Sequence, residues 1–301
     1  MAKRPIAEAN NVSLLLNHVL GAERFPVDVK ELALEYSRER FPSEPISSIK
    51  ALVAPGFEGM LVKHPSQSKW KIGYNDQIQS AGRIRFTLAH EFGHYLLHRT
   101  LRTDFQCTDE DMHDWDSMQR VIESEADVFA SYLLMPLDDF RRQTMGQPVG
   151  IELILHCAAR YGVSPMAAAL KWTEIAPKRA VVLAVRDGFV LWARSNRAAV
   201  MSGAYLATKR DLIEVPSTSS LCECSAEGNS HSSVRPARIW FPKEPQDMPL
   251  KEHIYVSAGN YGYTLAILEL PDAIPRRERE DEGNDEDRLA SISIPTWKGK
   301  S

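Results

Sequence analysis

The chain has 301 residues, 44% of them hydrophobic, which is enough for a buried core and for two domains. A formal net charge of −4 excludes a protein that coats nucleic acid over a broad surface. No apolar run approaches the length of a membrane span, the first residues lack the apolar core of a signal peptide, and Cys107, Cys157, Cys222 and Cys224 are too few and too scattered for a disulfide scaffold, so a cytoplasmic protein is expected.

In chain order, residues 12–20 read as a short amphipathic helix, and residues 26–36 as a second with Pro26 near its first turn. Short strand-like runs follow at 49–53, 59–63 and 70–74, separated by Pro55-Gly56 and by Pro65-Ser66-Gln67-Ser68. They predict a small sheet, whose edge can hold an extended peptide by strand addition.

The most informative run is Arg83 to His98, which contains His90-Glu91-Phe92-Gly93-His94. Ile84, Leu88, Phe92, Tyr95 and Leu96 recur at helical spacing and predict one apolar face. His90 and His94 stand four residues apart on the other side, where two imidazoles on one helix face can hold one metal ion. Glu91 beside them is placed to take a proton from an attacking water. His98 continues the stripe one turn later and is expected to be a neighbour of the ligands rather than one of them. The bland alternative is a pair of polar histidines on a solvated face.

A catalytic zinc site takes three protein ligands, so a third is sought downstream. Residues 121–135 read as a helix stopped by Pro136. Glu123 and Glu125 compete for the role. Glu123 shares its face with Ala126, Asp127 and Ala130, whose small side chains would let this helix come close to the first, and it is preferred; Glu125 remains the alternative. Asp127, one turn beyond Glu123, can orient a ligating imidazole. The intervening acidic stretch 103–119 reads as a solvated loop.

Residues 151–159 and 165–175 read as two helices around Gly162, a helix-turn-helix pattern. The second begins Ser164-Pro165-Met166-Ala167-Ala168-Ala169-Leu170 with Lys171 as its one base, a composition for packing, so no direct DNA contact is expected. Beyond Pro177-Lys178 come strand-like runs at 180–185 and 189–193 around Arg186-Asp187-Gly188, a hairpin signal, and further runs at 238–241, 253–257 and 263–270. Cys222-Glu223-Cys224 has a one-residue spacer, short for a zinc knuckle, and reads as a loop with two free thiols. Residues 275–288 are a mixed-charge run without core-forming side chains and are expected to be disordered. The expected fold class is α+β: a zincin-like peptidase core of a small sheet and active-site helices over 1–145, a helix-turn-helix-like unit over 146–177, a mostly β sensor or partner-docking domain over 178–274 and a charged tail over 275–301.

The segment Phe86-Thr87-Leu88-Ala89-His90-Glu91-Phe92-Gly93-His94, followed by Glu123-x-Glu125-Ala126-Asp127-x-Phe129-Ala130 and Leu133-Leu134-Met135-Pro136, resembles the ImmA/IrrE metallopeptidases over roughly residues 25 to 175. Many members have Asn where this chain has Asp127. The resemblance implies one Zn²⁺ held by His90, His94 and Glu123, with Glu91 as catalytic base. It also implies a zinc-dependent endopeptidase whose protein substrate is a helix-turn-helix repressor, cleaved to release genes of stress response or mobile elements. A binding protein that sequesters its partner without proteolysis, as an anti-repressor or antitoxin would, is the alternative. Tyr95, His98, His113 and Tyr132 are the candidates for steadying the oxyanion. Zinc over manganese or iron follows from ligand type.

Overall fold

A computed structural model describes residues 4–53, 57–78, 80–108, 117–224, 228–257 and 262–273. The charged run 275–288, and with it the disorder expected there, lies outside them. The described residues divide into two compact units, one holding those up to Gln143 together with Cys157–Ser164, the other Thr144–His156 and those from Pro165 to Ala273.

The first unit opens with α1 (Pro5–Leu20), which starts about two turns earlier than the apolar pattern predicts. Pro5 at the first helical position has no N–H to leave unsatisfied and its φ is already helical. Ala9, Val12 and Ser13 form the buried stripe. α2 (Val29–Arg40) starts later than predicted, because the Asp28 side chain accepts the Glu31 N–H at 3.0 Å and caps the helix there. Pro26 lies before it.

β1 (Ile46–Leu52), β2 (Phe57–Lys63), β3 (Trp70–Asn75) and β4 (Asp104–Thr108) form a sheet in the order β1-β3-β2-β4. β1 runs parallel to β3, while β2 is antiparallel to both β3 and β4. β4 corrects the expectation of a solvated loop over its residues. Its charge hid a strand whose Phe105 is 2% exposed. α3 (Ala81–His98) is capped by Ser80, whose hydroxyl accepts the Arg83 N–H at 3.3 Å. α4 (Ser117–Leu134) ends ahead of Pro136, as its sequence predicts, and a short α5 (Leu137–Thr144) follows.

α6 (Ile151–Tyr161) and α7 (Pro165–Thr173) are the helices of the helix-turn-helix pattern. Met166, Ala168, Ala169, Leu170, Lys171, Trp172 and Thr173 are all buried, so α7 has no open face to offer DNA. In the second unit β5 (Arg179–Arg186), β6 (Phe189–Ser195), β7 (Ile213–Glu214), β8 (Ser230–Pro236), β9 (Pro249–Val256) and β10 (Thr264–Leu270) form an antiparallel sheet in the order β7-β6-β5-β10-β9-β8. The β5–β6 hairpin turns through Asp187 and Gly188, at φ 52° and 79°, as the Asp-Gly pair predicts. Val181, Leu183, Leu250, Ile254, Ala266, Leu268 and Trp240 make its core. The fold is α+β, with the mostly β region C-terminal as expected. Among the described residues no single helix is long and apolar enough to cross a membrane.

Candidate metal centre

α3 is buried along most of its length. Leu88, Phe92, Tyr95 and Leu96 fill the core as their spacing predicts, but the opposite side is covered too, leaving His90 5%, Glu91 0% and His94 0% exposed. The solvated-histidine alternative is thereby excluded. Two close approaches create the cover. At Gly93 a Cβ would meet Phe129 Cδ1 at 3.0 Å and the Ala126 carbonyl oxygen at 3.3 Å, so α3 and α4 pack almost backbone to backbone. Ala126 and Ala130, both fully buried, supply the small partner surface on α4. On the other flank, β2 passes under Glu91 at Gly59, where a Cβ would stand 2.7 Å from Glu91 Oε1 and 2.5 Å from Thr87 Cγ2.

This packing carries Glu123 to the histidines. His90 Nε2 and His94 Nε2 face each other at 2.9 Å, with Glu123 Oε2 3.2 Å from the first and Oε1 3.6 Å from the second. A tetrahedral zinc with bonds of about 2.0–2.1 Å sets its ligand atoms roughly 3.3 Å apart, so the three donors are spaced as that ion requires. Together they form a group of ligand atoms within 4.8 Å of one another that could hold a metal ion. Two N donors and one O donor suit zinc and other divalent transition metals.

The neighbours orient these donors. Asp127 Oδ1 stands 2.8 Å from His90 Nδ1, which places that proton on Nδ1 and leaves the Nε2 lone pair toward the centre. Gln119 Nε2 donates to Glu123 Oε1 at 2.9 Å. The Phe105 ring stacks on His94 at 4.6 Å between centroids and 16° between planes. Neither Gln119 nor Phe105 was singled out by the sequence. Gln119 lies one helical turn before Glu123, a signal that could have found it, whereas Phe105 carries no such signal. Burial and the neighbouring His90 pull the His94 imidazole down to about 3, against the opposing pull of Glu123, so it is neutral and its lone pair is available. Burial alone would push the Glu123 carboxyl up, but hydrogen bonds and charge from His90 and His94 outweigh it and hold the group well below the usual carboxylate range.

Residues 48–173 match the family model of the IrrE N-terminal-like domain, peptidase family M78. This part of the chain is similar to that family. The match spans both the α3 and the α4 residues of the centre, and it is the family that the motifs resemble. No curated protein matches the chain. The solved structure of a Mycobacterium tuberculosis transcriptional regulator is similar over 90% of this chain and 81% of its own, at 13% identity and a TM-score of 0.48, a likeness too distant to carry an argument.

Within the IrrE-like domain, several of the expected oxyanion groups are placed elsewhere. The Tyr95 hydroxyl donates to the Glu44 carbonyl oxygen at 3.0 Å, and its ring packs edge-on against Phe41 and Trp70 in the core, on the far side of α3. Tyr132 stands nine residues beyond Glu123 on α4, which is about 13.5 Å along the axis and half a turn round. His98 lies behind His94, on the Nδ1 side of that ring, and not over the centre. His113 lies outside the described residues. Glu125, the alternative third ligand, bonds His98 Nε2 at 3.0 Å instead.

Proposed function

We propose that this protein is a zinc-dependent endopeptidase whose catalytic centre is formed by His90, His94, Glu123 and Glu91. The observation that carries the reading is the convergence of three buried ligand atoms from α3 and α4 at zinc-like spacing, with a carboxylate next in sequence to the first ligand. A purely structural site would need neither Glu91 nor an open position. When bound, zinc supplies a Lewis acid that polarises the scissile carbonyl and acidifies the attacking water. Glu91 accepts the proton of that water and delivers it to the departing amine. Its carboxylate lies against Gly59 of β2, which limits the directions it can point and so orients the transfer. Asp127 holds the His90 ring, and Gln119 holds the Glu123 carboxylate.

The substrate in this reading is a protein, specifically a helix-turn-helix repressor in the cytoplasm, and cleavage releases the genes it silences. The support is the resemblance of the paired motifs to the ImmA/IrrE peptidases together with the buried α7, which leaves DNA contact to the partner. Residues 1–145 carry the chemistry, 146–177 the helical connection and 178–274 the sensing or docking role. The test is incubation of zinc-loaded protein with the repressor encoded beside it, followed by mass spectrometry. Fragments absent when Glu91→Gln is used support the reading. An intact repressor held in a stable complex points instead to sequestration.

A further inference from the structure

Glu125 lost the competition for the metal, and His98 is not over the centre, yet both are tied to it. His98 Nδ1 stands 3.1 Å from His94 Nδ1, and His98 Nε2 stands 3.0 Å from Glu125 Oε2. His98 is 2% exposed, and Glu125 has a side chain 37% exposed. The contact between the two Nδ1 atoms needs one proton, since no metal lies between them, and its owner is constrained from the outer end. A carboxylate only accepts, so the Glu125 contact puts the His98 proton on Nε2. His98 Nδ1 is then an acceptor, and the proton between the two rings belongs to His94 Nδ1. His94 Nε2 is left with its lone pair directed at His90 Nε2 and Glu123. The reversed distribution fails at both ends. It would set a His98 lone pair against a carboxylate at 3.0 Å and put a proton on the atom that must bind metal.

We propose that Glu125 and His98 are positioning residues that fix the tautomer of His94 and thereby prepare it as a metal ligand. The inference rests on the zinc reading given above. It also explains why the two ligating rings have unlike supports: His90 is backed directly by Asp127, and His94 by a carboxylate one imidazole further away.

The experiment measures zinc affinity of the full chain by chelator competition, with the tautomers read independently by ¹⁵N NMR of the histidine rings in the zinc-loaded protein. His98→Leu removes the acceptor and should weaken zinc binding by about 10–100-fold, the usual cost of losing a group that orients a ligand. His98→Asn can place its Oδ1 where Nδ1 was and should recover most of that loss, which a merely space-filling role for the ring would not give. In the wild type His98 should carry its proton on Nε2. Zinc affinity of His98→Leu within twofold of wild type, equal losses in the Leu and Asn variants, or a His98 proton on Nδ1 would each overturn the proposal. The NMR reading decides the matter if the Leu variant does not fold. A wild-type protein that takes up no zinc fails at an earlier step, refuting the peptidase reading itself.

Discussion

Gly59→Ala tests whether the confinement of Glu91 matters for catalysis. The added Cβ would stand 2.7 Å from Glu91 Oε1 and 2.5 Å from Thr87 Cγ2, with the Glu91 Cγ at 3.2 Å. Ordinary contacts of a methyl group with carbon lie about 3.5–4.0 Å apart, so one of these side chains, or β2 itself, must give way by about 0.5–1 Å. Thr87 and Glu91 both sit on α3 with exposures of 4% and 0%, so there is little room to yield. Overpacking of this kind costs about 1–3 kcal/mol of stability. Displacement of a reacting group by about 1 Å costs on the order of 100-fold in rate. The expected result is a lowered melting temperature, zinc affinity within about threefold of wild type, and kcat/KM for the repressor or a quenched peptide pool reduced by about 10–100-fold. The atoms nearest that Cβ belong to Thr87 and Glu91 and not to a ligand, which is why binding and turnover should separate. A Gly59→Ala protein with unchanged kcat/KM would show that the approach of β2 to Glu91 has no part in the reaction.

Other consequences are as specific. Glu91→Gln should keep stoichiometric zinc, measured by atomic absorption, while turnover falls by at least about 100-fold, as expected when a positioned general base is lost; persistent cleavage would move the base elsewhere. Glu123→Ala should lower zinc affinity by more than about 100-fold and Glu125→Ala by less than about tenfold, since water can partly replace a half-exposed carboxylate behind His98; the reverse ranking would exchange their roles. Asp139 provides a pH test away from the metal. Burial pushes its carboxyl up, but bonds from Arg160, Tyr161 and Arg142 at 2.8–3.0 Å outweigh that and hold it below the ordinary value. A depressed carboxylate contributes stability that is whole above its unfolded pKa of about 3.9 and is lost as pH falls through the lower folded value. Urea midpoints measured from pH 5 downward should therefore decline more steeply for wild type than for Asp139→Asn, which should itself cost about 3–5 kcal/mol at neutral pH. Parallel pH curves for the two proteins would contradict this.

Local rules made part of the molecule legible from its residues. His90 and His94 share a helix face because an α-helix returns to the same side after four residues, whatever surrounds it. Pro136 had to end α4, and Asp187-Gly188 had to turn a hairpin, for equally local steric reasons. The preference for Glu123 over Glu125 rested on Ala126 and Ala130, but spacing alone left both open, because either glutamate could have faced α3 after a modest rotation of α4. Packing decided it, through Gly93 lying against the Ala126 carbonyl and Phe129. The same long-range assembly tied the Tyr95 hydroxyl to the Glu44 carbonyl, made a strand of Asp104–Thr108, and set Gly59 beneath Glu91. None of these has a periodicity of its own. They depend on residues 32 to 51 positions apart meeting in space, as Gly59 meets Glu91 and the Tyr95 hydroxyl meets the Glu44 carbonyl, and only the folded packing specifies such meetings.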